Sequence, residues 1–323
     1  MLVRAGLVLA ALGTAALAIA GLLGSVVPAF DLLNHFQILL LPGTLVGLVM
    51  ILVASRGRGR EAALVFALAG VTASASIVVP EALAGRRDLA PAPAEGTVRL
   101  MTHNLFGMNY EMERVVAAIT DEDPDIIVLQ EYFGEQATDL HPLLLAEYPF
   151  FVRCRGGKRA NLALYSHLPF EQVEDGACPN DAYGTQRTAH ILVDVTMDED
   201  KSFSVLTSHM DWPFPVWRQQ EQLAQLADTI ATVDGPLIVA GDFNSTPWSY
   251  TLRRFVSDTG MTRQTLNLLT FPMRFFYLGA WRDTLPFLPL DQVLTRGMIV
   301  HEVGTGGRTA SDHLPVVVAF SLE

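Results

Sequence analysis

Three long uncharged apolar runs fill the first 80 residues, and they limit what the chain can fold into more than any other feature. A helix needs about 20 apolar residues to cross the hydrocarbon core of a bilayer. Residues 5–27, 36–54 and 62–79 each read as such a span. The second carries Pro42 and Gly43, which spanning helices tolerate. Thr72, Ser74 and Ser76 dilute the third, so a buried helix of the following domain is its alternative. The first has no small-x-small cleavage site before Pro28, which argues against a removed signal peptide.

Charge divides the chain at the same place. Residues 1–90 hold six basic and four acidic residues, which leaves 16 basic and 30 acidic residues for 91–323. The overall 50% hydrophobic and 17% charged composition thus averages an apolar segment with an acidic domain. This excludes a disordered chain, a small disulfide scaffold and a simple cytosolic enzyme. It also argues against a protein that coats nucleic acid by bulk charge.

Arg4 precedes the first span, and Arg56, Arg58 and Arg60 fill the link between the second and third. The link between the first two carries Asp31 and no basic residue. Basic ends stay in the cytoplasm. The expected arrangement is a multi-pass protein of the cell (inner, plasma) membrane with a cytoplasmic N-terminus and residues 80–323 outside. Arg86 and Arg87 oppose this weakly. The only cysteines, Cys154 and Cys178, fall in the outer part, where a disulfide is chemically allowed. It would close a loop of about 24 residues, worth roughly 3 kcal/mol by loop entropy. Two unrelated buried thiols are the alternative. Residues 81–96, with Pro91 and Pro93, read as a linker.

Residues 97–323 suit one large α/β domain. Strands are expected over 98–102, 125–129, 162–165, 189–195, 203–207, 237–240, 290–294 and 316–320, and helices over 112–120 and 216–230. Six of these apolar runs lead straight into an acid, amide or histidine: LMTHN, IIVLQE, VLTSH, IVAGDFN, LDQV and the SDH before the last strand. Ligand crevices of α/β sheets lie at strand ends. Acids, amides and His without Cys suit a hard, oxygen-ligated cation such as Mg2+ or Mn2+ better than zinc.

The ordered motifs HNLFG, PDIIVLQE, RANLALYS, LTSHMDWP, GDFNSTPWS, LDQVL and SDHLPV resemble the endonuclease/exonuclease/phosphatase superfamily, the deoxyribonuclease I-like proteins. The resemblance spans about 97–320, and the apolar N-terminus with PWS after GDFN is similar to bacterial membrane-anchored members. It implies a four-layer α/β sandwich of two packed mixed β-sheets, preceded here by three transmembrane helices. By the same resemblance, Glu131 is the principal metal-binding glutamate, with Asn104 beside the metal and Asp312 the last metal-side acid. Asp242 and Asn244 orient the attacking water, contact the phosphate or aid a second metal. His313 is the catalytic histidine and Asp291 orients it, although Gln292 departs from the His or Tyr often found there. His209 contacts the phosphate or acts on the leaving oxygen. No role falls to His103 or Asp211.

Such a set suits hydrolysis of a phosphodiester. A cation neutralises charge that builds in the transition state, and a carboxylate or Asp-paired His takes a proton from water. Arg153, Arg155, Lys158 and Arg159 cluster beside Cys154, and Arg187 precedes a strand. Arg153, Arg155 and Arg187 above all are candidates for holding a substrate phosphate, with a solvated loop as the alternative for the cluster. Residues 266–290 are unusually apolar and aromatic; they read as core, a packed loop or a lip on the membrane. The expected function is a membrane-anchored, Mg2+- or Mn2+-dependent phosphoesterase whose substrate is nucleic acid, a phospholipid or a small phosphodiester. A catalytically inactive, membrane-anchored binding module of the same fold is the alternative. No protein partner is inferable.

Overall fold

The structure, a computed structural model, describes residues 2–57, 59–93, 95–173, 178, 187–198 and 201–323. Arg58 of the basic link lies outside the described residues. The chain divides into two compact units: residues 1–87 with 246–254, and residues 88–245 with 255–323.

In the first unit the apolar runs form α1 (Leu2–Gly21), α3 (Gln37–Ala54) and α4 (Arg60–Ala84), joined between α1 and α3 by 3-10 turns and the single turn α2 (Pro28–Asp31). Three helical segments, Val3–Ser25, Pro28–Ala54 and Arg60–Ala84, are long and apolar enough to cross a membrane. α4 runs through Pro80, further than the apolar pattern indicates. Ala11, Ile51 and Ala67 form the shared core of the three helices. At Gly70 a Cβ would stand 2.6 Å from the Ala15 Cβ, so a larger residue would push α4 off α1.

A polar chain runs through this apolar unit. The Asn34 amide donates to Gly21 O (3.0 Å) and Asp31 Oδ1 (2.8 Å). Gln37 Nε2 donates to Ala18 O (3.3 Å), and the Ser74 hydroxyl donates to Gln37 Oε1 (2.6 Å). Asp31, 2% exposed, accepts from the backbone N–H of Tyr250 (2.8 Å) and Thr251 (2.9 Å) and from the Thr251 hydroxyl (2.8 Å). These are unsatisfied donors that open α8 (Tyr250–Thr259), so Asp31 satisfies two of them from 219 and 220 positions away, while Ser249 Oγ accepts from the Leu252 N–H (3.1 Å) as the local cap. The Thr246 N–H points to His35 Nδ1 (3.3 Å) beside it.

The second unit is a four-layer α/β sandwich. One sheet has the order β13-β14-β1-β2-β4-β3 and the other β5-β6-β7-β8-β12-β9. The first is built from β1 (Val98–Asn104), β2 (Ile126–Gln130), β3 (Phe150–Cys154), β4 (Leu162–Ser166), β13 (Met298–Thr305) and β14 (Val316–Leu322). The second takes β5 (Phe170–Gln172), β6 (His190–Asp198), β7 (Lys201–His209), β8 (Leu237–Asp242), β9 (Thr262–Arg263) and β12 (Asp291–Arg296). β1–β2 and β7–β8 are parallel pairs and the rest antiparallel, so both sheets are mixed.

Strand alternation builds the layers. Leu100, Val128 and Leu164 point into a core shared with Ile191, Val205, Ile238 and Val293 of the other sheet. Their neighbours Met101, Ile127 and Tyr165 face the opposite way, onto Val115 and Ile119 of α5 (Met112–Glu122) and Leu140 and Leu144 of α6 (Gly134–Glu147). On the second sheet's side, α7 (Val216–Ala231) buries Leu223, Leu226 and Ile230. A disulfide joins Cys154 to Cys178, with Cα atoms 5.1 Å apart. Residues 266–290 hold a hairpin, β10 (Arg274–Tyr277) and β11 (Ala280–Asp283), whose Phe276, Tyr277 and Leu278 are exposed while Met273, Leu288 and Leu290 are buried.

Candidate active site

The parallel pairs β1–β2 and β7–β8 end side by side, and their last residues supply most of the site. Asn104 closes β1 and Glu131 follows β2, while His209 closes β7 and Asp242 closes β8. Antiparallel β12 starts opposite Asp242 in register, which puts Asp291 across from it. The loop before β14 brings Asp312 and His313.

Backbone shape at these ends is tightly set. Gly241 has φ +158°, and a Cβ there would lie 2.1 Å from Ser208 O, so only glycine lets β8 approach β7 at that point. Asn244 turns back with φ 46°, a left-handed conformation that asparagine tolerates, and its N–H donates to Asp242 Oδ1 (2.8 Å). Glu131 also holds a positive φ of 54°, a conformation that costs energy for a side chain of this size. Its Oε2 accepts from the Gly107 N–H at 2.7 Å.

Asp242 is the hub. Its Oδ2 accepts from Asn104 Nδ2 (2.9 Å) and lies 3.5 Å from His209 Nε2 and 3.6 Å from His313 Nε2. Burial pushes its carboxyl pKa up, and His313 opposes the shift. His313 Nδ1 lies 2.8 Å from Asp291 Oδ2. Burial alone would keep that imidazole neutral, but Asp291 and Asp242 outweigh it and raise the pKa to about 10. His209 goes the other way: burial lowers it to about 4 despite Asp242. Two buried histidines flanking one carboxylate therefore differ in charge at neutral pH. Asp312 is pushed up to about 6, first by burial, then by Glu131 and Asp242 against the pull of His313.

Asn244 Nδ2 donates to Met210 O (2.9 Å) and lies 3.2 Å from His209 Nε2. Its Oδ1 is buried with no hydrogen-bond partner. An orphaned oxygen beside Asp242, with Glu131 3.5 Å from the Asn104 amide, is oxygen-rich chemistry that fits a hard divalent cation. Asp242, Asp291 and His313 also bring three ligand atoms within 4.8 Å of one another.

Several supporting residues carried no sequence signal. Ser311 Oγ donates to Asn104 O (2.7 Å) and accepts from the His313 N–H (3.0 Å), tying the last loop to β1. Gln219 of α7 donates to the carbonyls of Asp211, Phe243 and Asn244. Phe271 lies against the His313 ring, centroids 4.8 Å apart. Asp211 pairs with Arg159 (2.6 Å), and His103, lowered to about 3 by burial, meets the Thr309 hydroxyl (2.8 Å). The three arginine candidates stand elsewhere. Arg153 covers the Tyr132 ring at 4.6 Å and shares a cleft with Arg155, His141 and Asn161, whereas Arg187 lines another with His190 and Gln225.

A family model described as Endonuclease/Exonuclease/phosphatase family matches residues 101–313, the stretch that contains every residue of this cluster. The chain belongs to the endonuclease/exonuclease/phosphatase family. Asn104, Glu131, Asp242 and His313 all fall within the matched stretch. A UPF0294 protein of Vibrio cholerae serotype O1 is 30% identical over 129 residues, covering 39% of this chain and 42% of that protein. The match thus spans under half the length of that relative. Among solved structures, an endonuclease/exonuclease/phosphatase family protein from Bacteroides thetaiotaomicron superposes with TM-score 0.54 at 19% identity, over 70% of this chain and 98% of that one. D. rerio TDP2 complexed with single strand DNA product gives TM-score 0.52 at 14% identity, over 70% and 100%. Likeness at these identities concerns the fold.

Proposed function

We propose that this protein is a membrane-anchored phosphoesterase, dependent on Mg2+ or Mn2+, that hydrolyses a phosphodiester with an activated water outside the cytoplasm. The observation that carries the reading is the Asp291–His313–Asp242 alignment, a buried imidazolium held between two carboxylates at 2.8 and 3.6 Å.

Glu131, Asn104 and Asp312 would hold the cation, which when bound supplies positive charge against a phosphoryl oxygen. Asp291 accepts from His313 Nδ1–H, holding the imidazolium ring so that Nε2–H faces the phosphate. Because His313 keeps its proton up to about pH 10, it acts as a cationic donor to a phosphoryl oxygen. Asp242, its basicity increased by burial, then accepts the proton of the attacking water. Asn104 and the Asn244 N–H orient that carboxylate. His209, neutral and beside Asn244, contacts the phosphate or acts on the leaving oxygen.

Nucleic acid, a phospholipid and a small phosphodiester remain the substrate classes. The full-length chain in detergent is the right material, because residues 246–254 pack with the N-terminal helices. Assays with Mg2+ or Mn2+ against plasmid DNA, sphingomyelin, lysophospholipid and bis-p-nitrophenyl phosphate test the reading. Turnover of at least one substrate, abolished by EDTA, is expected. Absence of turnover on all of them contradicts it. A reporter fused after Glu323 should read extracytoplasmic, and a cytoplasmic signal removes the topology.

A further inference from the structure

Beside His313 opens a cleft of about 440 Å³, a volume in the range of small-molecule sites. Arginines from three separate elements line it: Arg114 from α5, Arg274 and Arg282 from the β10–β11 hairpin, and Arg308 from the loop that leads to His313. Two acids, Glu111 and Asp283, face them. The cleft is therefore net positive in a region, 91–323, with 16 basic and 30 acidic residues. Convergence of a quarter of those basic residues on one cleft beside the catalytic pair calls for a ligand.

The pairings inside the cleft leave positive charge free. Arg114 Nε meets Glu111 at 2.9 Å, a pair exposed on both sides. Arg308 is 3.9 Å from Asp283, a loose contact. Arg282 has no salt-bridge partner among the described residues. Arg274 is placed by its bond to Ala310 O (2.7 Å) and stands 5.5 Å over the Trp281 ring, while its Nε is buried with no hydrogen-bond partner. Guanidinium groups bind phosphate oxygens in paired hydrogen bonds and keep their charge at every working pH.

We infer that this cleft is a second anion subsite, which binds a further phosphate group on a substrate whose scissile phosphodiester lies at His313. The inference rests on the phosphoesterase reading for its role in turnover, while anion binding itself does not. It narrows the substrate class to phosphodiesters that carry a neighbouring phosphate. Arg282 and Arg308 are exposed, so their replacement leaves the fold and the Asp291–His313 pair in place.

The test has a binding arm and a turnover arm, both on the full-length chain in detergent. Calorimetry with inorganic pyrophosphate in EDTA should show binding that weakens at least tenfold in the Arg282→Gln/Arg308→Gln double variant. Displacement of pyrophosphate by a tetrathymidylate or by dihexanoylphosphatidic acid then distinguishes a nucleotide strand from a lipid headgroup as the source. In turnover, p-nitrophenyl thymidine 5′-phosphate is compared with the same ester carrying a 3′-phosphate. The 3′-phosphorylated ester should have about tenfold lower KM, an advantage that the double variant loses, with kcat on bis-p-nitrophenyl phosphate unchanged. Equal pyrophosphate affinity in the two proteins overturns the subsite. Pyrophosphate binding that depends on the arginines, without hydrolysis of any ester, supports the subsite and contradicts the phosphoesterase reading instead.

Discussion

His313 Nδ1 sits 2.8 Å from Asp291 Oδ2, and both groups are buried. This contact decides the charge of the imidazole. Asp291→Asn keeps the size of the side chain and removes its charge, so the His313 pKa should fall from about 10 toward its ordinary value near 6.5. Turnover should drop on the order of 10²–10⁴-fold. The alkaline limb of the pH–rate profile should move to lower pH. A raised pKa stabilises the fold fully below pH 6.5 and loses that contribution as pH rises through about 10. Melting temperatures of wild type and variant should therefore differ most at and just below pH 6.5, differ less as pH rises, and converge above about pH 10.

Glu131→Ala removes the carboxylate that follows β2. Calorimetric titration of Mg2+ or Mn2+ into the full-length protein should show binding to wild type and at least a tenfold loss in the variant. Unchanged binding would move the cation to Asp242, Asp291 and His313.

Asp31→Ala deletes three hydrogen bonds to the start of α8. Loss of such a cap costs about 1–2 kcal/mol. Hydrogen exchange at Tyr250 and Thr251 should accelerate roughly tenfold, and exchange in β1 should stay constant.

His103 is 1% exposed and takes up a proton in the folded state only near pH 3, whereas in the unfolded chain it does so near 6.5. Its contribution to stability is complete above pH 6.5 and is lost progressively from there toward pH 3. Denaturation in EDTA should show the wild type losing more stability than His103→Asn across that interval. Parallel curves would remove the assignment.

How much of this was legible follows from which forces act locally. The candidate spans, the single strands and the residues at strand ends could be read because each is a run of apolar residues, the strands with a polar residue at the end. The two-sheet sandwich came from the motif resemblance, since a list of strands does not set their order in a sheet. Glu131, Asp242 and His313 carry that signal plainly. Other features depend on the folded chain. α6 begins at Gly134 and contains Pro142, so its propensity points away from helix; packing of Leu140 and Leu144, with Gln136 Oε1 accepting from the Phe133 N–H (2.9 Å) at its start, holds it. The Asp31 cap joins residues 219 apart, and no local pattern encodes it. Phe276 and Leu278 look like core in sequence but stand exposed in a hairpin whose two strands, among the described residues, pair with each other and join neither large sheet. Arg114, Arg274 and Arg308 are scattered along the chain and meet only through the fold, whereas Arg153 and Arg155 look clustered because they are close in sequence.

The central claim is metal-dependent phosphodiester hydrolysis by the His313 cluster. Its most direct measurement is release of p-nitrophenol from bis-p-nitrophenyl phosphate by the full-length protein, beside His313→Asn. Turnover with Mg2+ or Mn2+ that EDTA abolishes, and that falls at least 100-fold in the variant, is the expected result. Turnover that survives both EDTA and His313→Asn, or none in the wild type, would contradict the account.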